Sequence, residues 1–280
     1  MLIELAIGDA YGAGFEYADR GFVVAHNDLT GYLQHPGHDT IRPGDYTDDT
    51  QMTLAIAESI VSGEPWTPEH LADRFVAVFH RDPRDGYAGR FRDFLDTVHT
   101  GAEFLERIIP ASDKSGAAMR AAPVGLLPDI AEVLARTEIQ ARITHDTADG
   151  IESAQAAALA VHYCRRHLGP TAEIRSWMGR QLGSRWATPW RGKVGSKGWM
   201  SVRAALTALS TGQSLTEILR TSIAFTGDVD TVATIALAAA SHSSDVRQNL
   251  PAALLSGLEN GPFGRDYLYD LDQRLHAAVG

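Results

Sequence analysis

The stretch "GDYTDDTQMTLAIAESIV", Gly44 to Val61, sets two adjacent aspartates between two threonines, immediately ahead of an amphipathic run. Thr47 is a good N-cap, and Asp48 and Asp49 then fall in the first helical turn, where the macrodipole favours carboxylates. Met52, Leu54, Ala55, Ile56, Ile60 and Val61 supply the buried side of the helix. Alone, the stretch is an acidic helix start. A second one lies far downstream: "IAFTGDVDTVATIALAAAS", Ile223 to Ser241, packs Asp228, Asp230 and Thr231 ahead of an apolar, alanine-rich helical pattern. One such cluster is a cap; two suggest a shared site.

Outward from these two segments the chain reads almost entirely as helix. Helices are expected over 50–62, 68–80, 86–97, 101–108, 116–121, 127–138, 150–167, 171–182, 198–211, 214–224, 231–241, 245–255 and 266–278. Met1 to Ala10 has helical apolar spacing that ends at Gly8-Asp9, with Gly12 and Gly14 breaking the pattern. "GFVVAHNDLTGYLQHPG" has β-branched and aromatic content between turn residues and reads as one short hairpin or an irregular loop. So many helices and so few strand candidates give an all-α orthogonal bundle with a cleft, not a βαβ fold. The glycines of "GDAYGAGFEY" fit neither the Walker spacing nor a dinucleotide-binding turn after a strand. They read as a turn lined by polar side chains, in which Asp9 and Glu16 are either surface caps or further acids of the shared site.

At 280 residues, 44% hydrophobic and 21% charged, the composition is ordinary for a globular protein, and no linker-like stretch divides it. One domain over 1–280 is expected. No basic segment followed by a long apolar run opens the chain and no run of about 18 apolar residues occurs, so a cytoplasmic location, without membrane insertion, is the default. Cys164 is the only cysteine, which excludes an intrachain disulfide and a thiolate metal cluster. The net charge of −10 argues against a broad nucleic-acid-binding face. It leaves room for a phosphorylated ligand, because cations held in an acidic pocket present positive charge to a diphosphate.

The two clusters and Glu16 offer only oxygen donors, a set that suits magnesium, manganese or calcium better than zinc or copper. So many carboxylates cannot sit together uncompensated, since like charges a few ångströms apart raise one another's pKa. Two divalent ions would offset the repulsion. An EF-hand is excluded, because neither segment has the twelve-residue loop with its central glycine and terminal glutamate.

In order along the chain, "GDAYGAGFE", "YTDDTQM", "GAAMRAAPVG", "ITHDTADGIESAQAAALAV" and "TGDVDTVATIA" resemble the successive motifs of the ADP-ribosylglycohydrolase family, which includes the dinitrogenase reductase-activating glycohydrolases. The resemblance runs from about residue 3 to at least residue 240; the ordered pair T-D-D-T and G-D-x-D-T is its specific part. It implies an all-α domain with two divalent cations, Mg2+ or Mn2+, in a cleft. Thr47, Asp48 and Asp49 match the family's first ligand cluster, and Asp228, Asp230 and Thr231 its second. Glu16 matches a family glutamate near the metals, Asp9 reads as a structural partner, and Glu16 and Asp49 are the candidates for handling the proton of the attacking water.

Ser115, Gly116 and Met119 match the segment expected at the substrate, where a loop-to-helix turn can cradle a diphosphate. The family commonly has an asparagine near Ser115, and this chain departs from it. The plain alternative is a structural turn with Met119 in the core. His145 matches a family histidine close to the ligand; without the resemblance, a histidine ahead of a helix is more often a cap or core group. Asp146 and Asp149 are expected to cap the helix that begins near Gly150. "SRWATPWRGKVGSKGWM", with Trp186, Trp190 and Trp199 among Arg185, Arg191, Lys193 and Lys197, reads as a surface loop anchored by its tryptophans, ahead of the alternative of a flap over the nucleotide. Leu254, Leu255, Leu258, Tyr267, Leu268, Leu271 and Leu275 are expected to face inward from a closing helical pair.

The function expected is hydrolysis of the bond between ADP-ribose and a modified acceptor, with arginine on an ADP-ribosylated protein as the leading acceptor, by a monomer. A non-catalytic ADP-ribose binder or immunity-type partner on the same fold, and a two-metal phosphohydrolase, are the alternatives.

Overall fold

Two helices are apolar on almost every side, and the rest of the chain wraps them. Leu2–Ala13 buries all of its residues but Glu4, and Val229–Ala240 buries every one, the signature of a helix enclosed by protein. They pack directly against each other in a computed structural model that describes residues 1–280. The contact is made through glycine. A Cβ on Gly8 would stand 2.8 Å from the Ala233 backbone, and one on Gly12 would stand 2.3 Å from Asp230 Cα. The first helix therefore does not end at Gly8-Asp9; it runs through both glycines, which are packing surfaces and not breaks.

Fifteen α-helices and three short 3-10 helices make up the fold, with isolated β-bridges and no sheet. The all-α expectation is met, and the buried apolar side chains form one connected core. Ala148–Arg165, rich in alanine, packs against Ile130–His145, Gly198–Thr211 and the central Val229–Ala240. Asp48–Ser62 packs against Pro68–Arg81 and the last helix, Arg265–Val279. Conventional side-chain caps start several of these: Thr67 accepts from His70 N, Asp129 from Ala131 N and Ser214 from Glu217 N.

Several boundaries differ from the sequence reading, each for a local reason. Arg20–His26 is a helix capped by Asp19, in place of a hairpin or loop. The expected helix 127–138 is Ile130–His145, because Gln140 and Thr144 turn inward to bind buried Arg120 and so interrupt the apolar pattern. Within 86–97 only Gly89–Leu95 is α-helical, since Gly86, at φ +104°, packs against Asp48. Of 245–255 only the end is helical, in Ala252–Gly257; Arg247 instead exchanges backbone hydrogen bonds with Gln213 and Leu215. Thr147, not Asp146 or Asp149, caps Ala148–Arg165 by accepting from Gly150 N. Leu254, Leu258, Leu268, Leu271 and Leu275 are buried, whereas Leu255 is exposed and Tyr267 only half-buried.

Candidate metal centre and cleft

Asp9 fixes the start of Asp48–Ser62 from another helix. Fully buried, it accepts four hydrogen bonds: from Thr47 N (3.0 Å), Thr47 Oγ1 (2.7 Å), Thr50 N (2.9 Å) and Thr50 Oγ1 (2.6 Å). It is neither a turn residue nor a surface cap. Thr47 occupies the N-cap position, yet its own hydroxyl makes no cap bond. With the end donors satisfied by Asp9, the carboxylates of Asp48 and Asp49 are released toward the cleft. Gly86 closes over Asp48, where a Cβ would lie 2.2 Å from Asp48 Oδ1.

A loop held in unusual backbone conformations delivers the second cluster. Tyr17 (φ 53°), Thr226 (φ 62°) and Gly227 (φ 94°) all lie in the left-handed region, and Tyr17 N donates to Gly227 O at 2.8 Å. Only glycine fits at 227, because a Cβ would sit 1.8 Å from Val194 O. Carboxylate oxygens of Glu16, Asp228 and Asp230 come within 4.8 Å of one another. Asp48, Asp49 and Thr231 line the same cavity of about 740 Å³.

These acids share a strongly unfavourable field. Loss of hydration first, and then the neighbouring carboxylates Asp228 and Asp9, push Glu16 up to about 7. Burial likewise raises Asp228 to about 6, held down by the hydroxyls of Ser201 and Ser115; Ser201 Oγ donates to its Oδ2 at 2.6 Å. Asp48, Asp49 and Asp230 are raised well above the carboxylate range by burial and by one another. Asp49 Oδ1 has no protein partner although it is buried. A dense set of oxygen donors, one of them orphaned, with the charge of Lys114 reaching Asp228 but no ion pair made to any of the acids, fits divalent cations such as Mg2+ or Mn2+.

The cavity gathers nearly all the residues singled out from sequence. Glu16, Asp48, Asp49, Asp228, Asp230 and Thr231 form one end, and Ser115, Gly116, Met119 and His145 line it as well. Thr47 stands behind this surface, its hydroxyl hydrogen committed to Asp9. Ser115 turns its hydroxyl toward Asp228. His145 is the last residue of the helix Ile130–His145 and stands three residues ahead of Ala148–Arg165; burial first, then the charge of Arg120, lowers its pKa to about 3, which favours the neutral ring. Of the tryptophan-rich segment only Ser196 reaches the cavity. Trp186 is fully buried with its indole N–H on Glu152, and Trp190 packs edge-on against Trp199 at 5.7 Å, so the tryptophans anchor a loop.

The cavity is also lined by Phe91, Phe94, Ile108 and Ile109 with Arg90 and Arg107, which were not singled out from the sequence. Their signal is the alternation of basic and aromatic residues in "GRFRDFL". Phe91 and Phe94 stack with centroids 6.1 Å apart, and the Arg107 guanidinium lies 5.8 Å from the Phe94 ring. The cavity lining thus combines apolar faces and positive charge with a cluster of carboxylates.

Comparison with known proteins gives the family and the fold. The sequence matches the ADP-ribosylglycohydrolase family over residues 1–280. It is 30% identical over 173 residues to "ADP-ribosylhydrolase ARH3" of Xenopus tropicalis, covering 58% of this chain and 48% of that protein. It is 27% identical over 172 residues to "ADP-ribosylarginine hydrolase Tri1" of Serratia proteamaculans, covering 58% and 45%. It is 30% identical over 149 residues to the "ADP-ribosyl-[dinitrogen reductase] glycohydrolase" of Rhodospirillum rubrum, covering 51% and 49%. The matches span about half the length of these curated relatives. A solved "ADP-ribosylglycohydrolase-related protein complex" shares the fold with a TM-score of 0.69 at 22% identity, covering 100% of this chain and 96% of that one. No helix is long and apolar enough to cross a membrane.

Proposed function

The chain belongs to the ADP-ribosylglycohydrolase family, and from that premise we propose that it is a metal-dependent hydrolase cleaving the glycosidic bond between ADP-ribose and a modified acceptor, with arginine on protein as the leading acceptor. The observation that carries this reading is the convergence of Glu16, Asp48, Asp49, Asp228 and Asp230 in a cleft of about 740 Å³ that aromatic and cationic side chains also line. A cavity of that size suits a dinucleotide-sized ligand. In this reading Asp48, Asp49, Asp228, Asp230 and Thr231, which line the cavity, hold two divalent cations, Mg2+ or Mn2+, while Thr47, bonded to Asp9, would contribute only a hydroxyl lone pair. Such ions, when bound, orient ribose hydroxyls and lower the pKa of water.

The chain's own groups supply the rest. Departure of the acceptor leaves oxocarbenium character at the anomeric carbon, which the surrounding carboxylates stabilise. Glu16 and Asp49 are the candidates to take the proton of the attacking water. Each faces the cleft, and Asp49 keeps an oxygen without a protein partner. Phe91 and Phe94 offer flat faces to the adenine, and Arg90 and Arg107 offer charge to the diphosphate. Ser115, Gly116, Met119 and His145, which line the same cavity, complete the substrate surface. Holding the ribose and its nucleophile in one geometry then contributes much of the rate.

The deciding experiment measures ADP-ribose release from arginine-linked and serine-linked peptides in magnesium, in manganese and in EDTA. Metal-dependent release of intact ADP-ribose from the arginine peptide is expected. Release of AMP or phosphate instead would point to a phosphohydrolase. ADP-ribose binding without turnover of either peptide would point to a non-catalytic binder.

A further inference from the structure

Arg120 is almost completely enclosed, and its hydrogen bonds go to neutral acceptors: Gln140 Oε1 (2.7 Å), Gln140 O (2.9 Å) and Thr144 Oγ1 (2.9 Å). Thr144 Oγ1 in turn lies 2.7 Å from His145 Nδ1. A guanidinium only donates, so Thr144 Oγ1 accepts from Arg120 and keeps its single hydrogen for another partner. The nearest acceptor for that hydrogen is His145 Nδ1. The opposite arrangement, with Nδ1–H donating to Oγ1, would leave a buried hydroxyl hydrogen without a partner, which is unfavourable.

We propose that Arg120 and Thr144 are positioning residues that fix His145 as the Nε2–H tautomer, so that this edge of the ring presents one hydrogen-bond donor to a ligand oxygen in the cleft. The proposal rests on the ADP-ribose reading for the identity of that ligand. The relay itself does not depend on it. His145 lines the cavity while Nε2 makes no hydrogen bond within the protein. Gly116 keeps the approach open: a Cβ there would stand 3.2 Å from Nε2 and 2.9 Å from Cε1. Gln140 steadies the far end, since Gln140 Nε2 donates to Ala117 O at 3.0 Å and ties the arginine to the segment that carries Gly116. The guanidinium, without a carboxylate partner, adds a positive field at the same wall, which favours an electron-rich oxygen there.

Two readouts test this. Long-range 1H–15N spectra of the histidine rings in the ligand-free protein, with the His145 signals identified by their loss in His145→Gln, should show a neutral Nε2–H ring. Thr144→Val should abolish that pattern and weaken ADP-ribose binding, measured by calorimetry with ADP-ribose itself, by about tenfold. Thr144→Ser, which keeps the hydroxyl, should restore both to within about twofold of wild type. An Nδ1–H ring in the wild type, or a Thr144→Val protein that keeps both tautomer and affinity while folded by circular dichroism, overturns the relay. Failure of the wild type to bind ADP-ribose would instead overturn the ligand assignment, and the spectra would still decide the relay.

Discussion

The helix Asp48–Ser62 carries buried acid at both ends, and the two ends are treated in opposite ways. Near its C-terminus, Glu58 is 9% exposed and fully matched: Arg81 Nη1 donates to it at 3.0 Å, Tyr267 Oη at 2.7 Å, and Arg74 lies 3.6 Å away. At its N-terminus, Asp48 and Asp49 meet only other carboxylates and a hydroxyl, and both are pushed well above the carboxylate range. Burial is thus no guide to role by itself. A buried acid that the chain neutralises holds the fold together, and one it leaves bare awaits charge from outside.

The comparison breaks most visibly if the bare acids prove dispensable. Asp48→Ala and Asp230→Ala should each lower metal-dependent release of ADP-ribose by about a thousandfold, equivalent to about 4 kcal/mol, with helix content by circular dichroism intact. Wild-type turnover in either would sink the site. Glu58→Ala should do the converse, removing about 2 kcal/mol of stability in urea titrations by stranding Arg81 next to its aromatic neighbours, while kcat stays within about threefold of wild type.

The pH dependence of the metal-free protein sharpens the contrast. Because the folded pKa of Glu16 is raised from 4.5 to about 7 and that of Asp228 from 3.8 to about 6, folding favours their protonated forms. The resulting stability is fully present below about pH 4 and lost as pH rises through 6 to 7. In EDTA the melting temperature should therefore fall across that window, and saturating magnesium should flatten the slope. A slope unchanged by magnesium would mean that these acids do not face the ion. Smallest in effect, Asp49→Asn should raise metal-free stability by about 0.5–1 kcal/mol, since it relieves like charge without changing shape. A loss of stability in EDTA would show that Asp49 is held by the protein after all.

The same distinction explains what was legible in the sequence. The acid clusters could be read because each is local: the aspartates, the threonine and the apolar run sit within a few residues. Helix 198–211 was legible to the residue, and 68–80 fell one residue short of Pro68–Arg81, where Thr67, Pro68 and a strong apolar face agree. Illegible parts depend on a distant partner. Gly8 and Gly12 read as helix breakers until Ala233 and Asp230 occupy the space beside them. Asp9 is a cap for a helix nearly forty positions on, and Gln140 and Thr144 are polar in a core because Arg120 is there to receive them. Phe91 and Phe94 come to line one cavity with the acids only once the chain has folded.

The glycine seam between the first helix and Asp230 also carries a cost in time. Leu2–Ala13 emerges from the ribosome with nearly every side chain meant for the interior, and Val229–Ala240, which covers it, is made long afterwards. At translation rates of about 5–20 residues per second, it waits for tens of seconds, an apolar rod without its partner. The newborn chain therefore needs shelter, from a chaperone or from provisional collapse, until Val229–Ala240 appears, and the acid cluster cannot assemble before then.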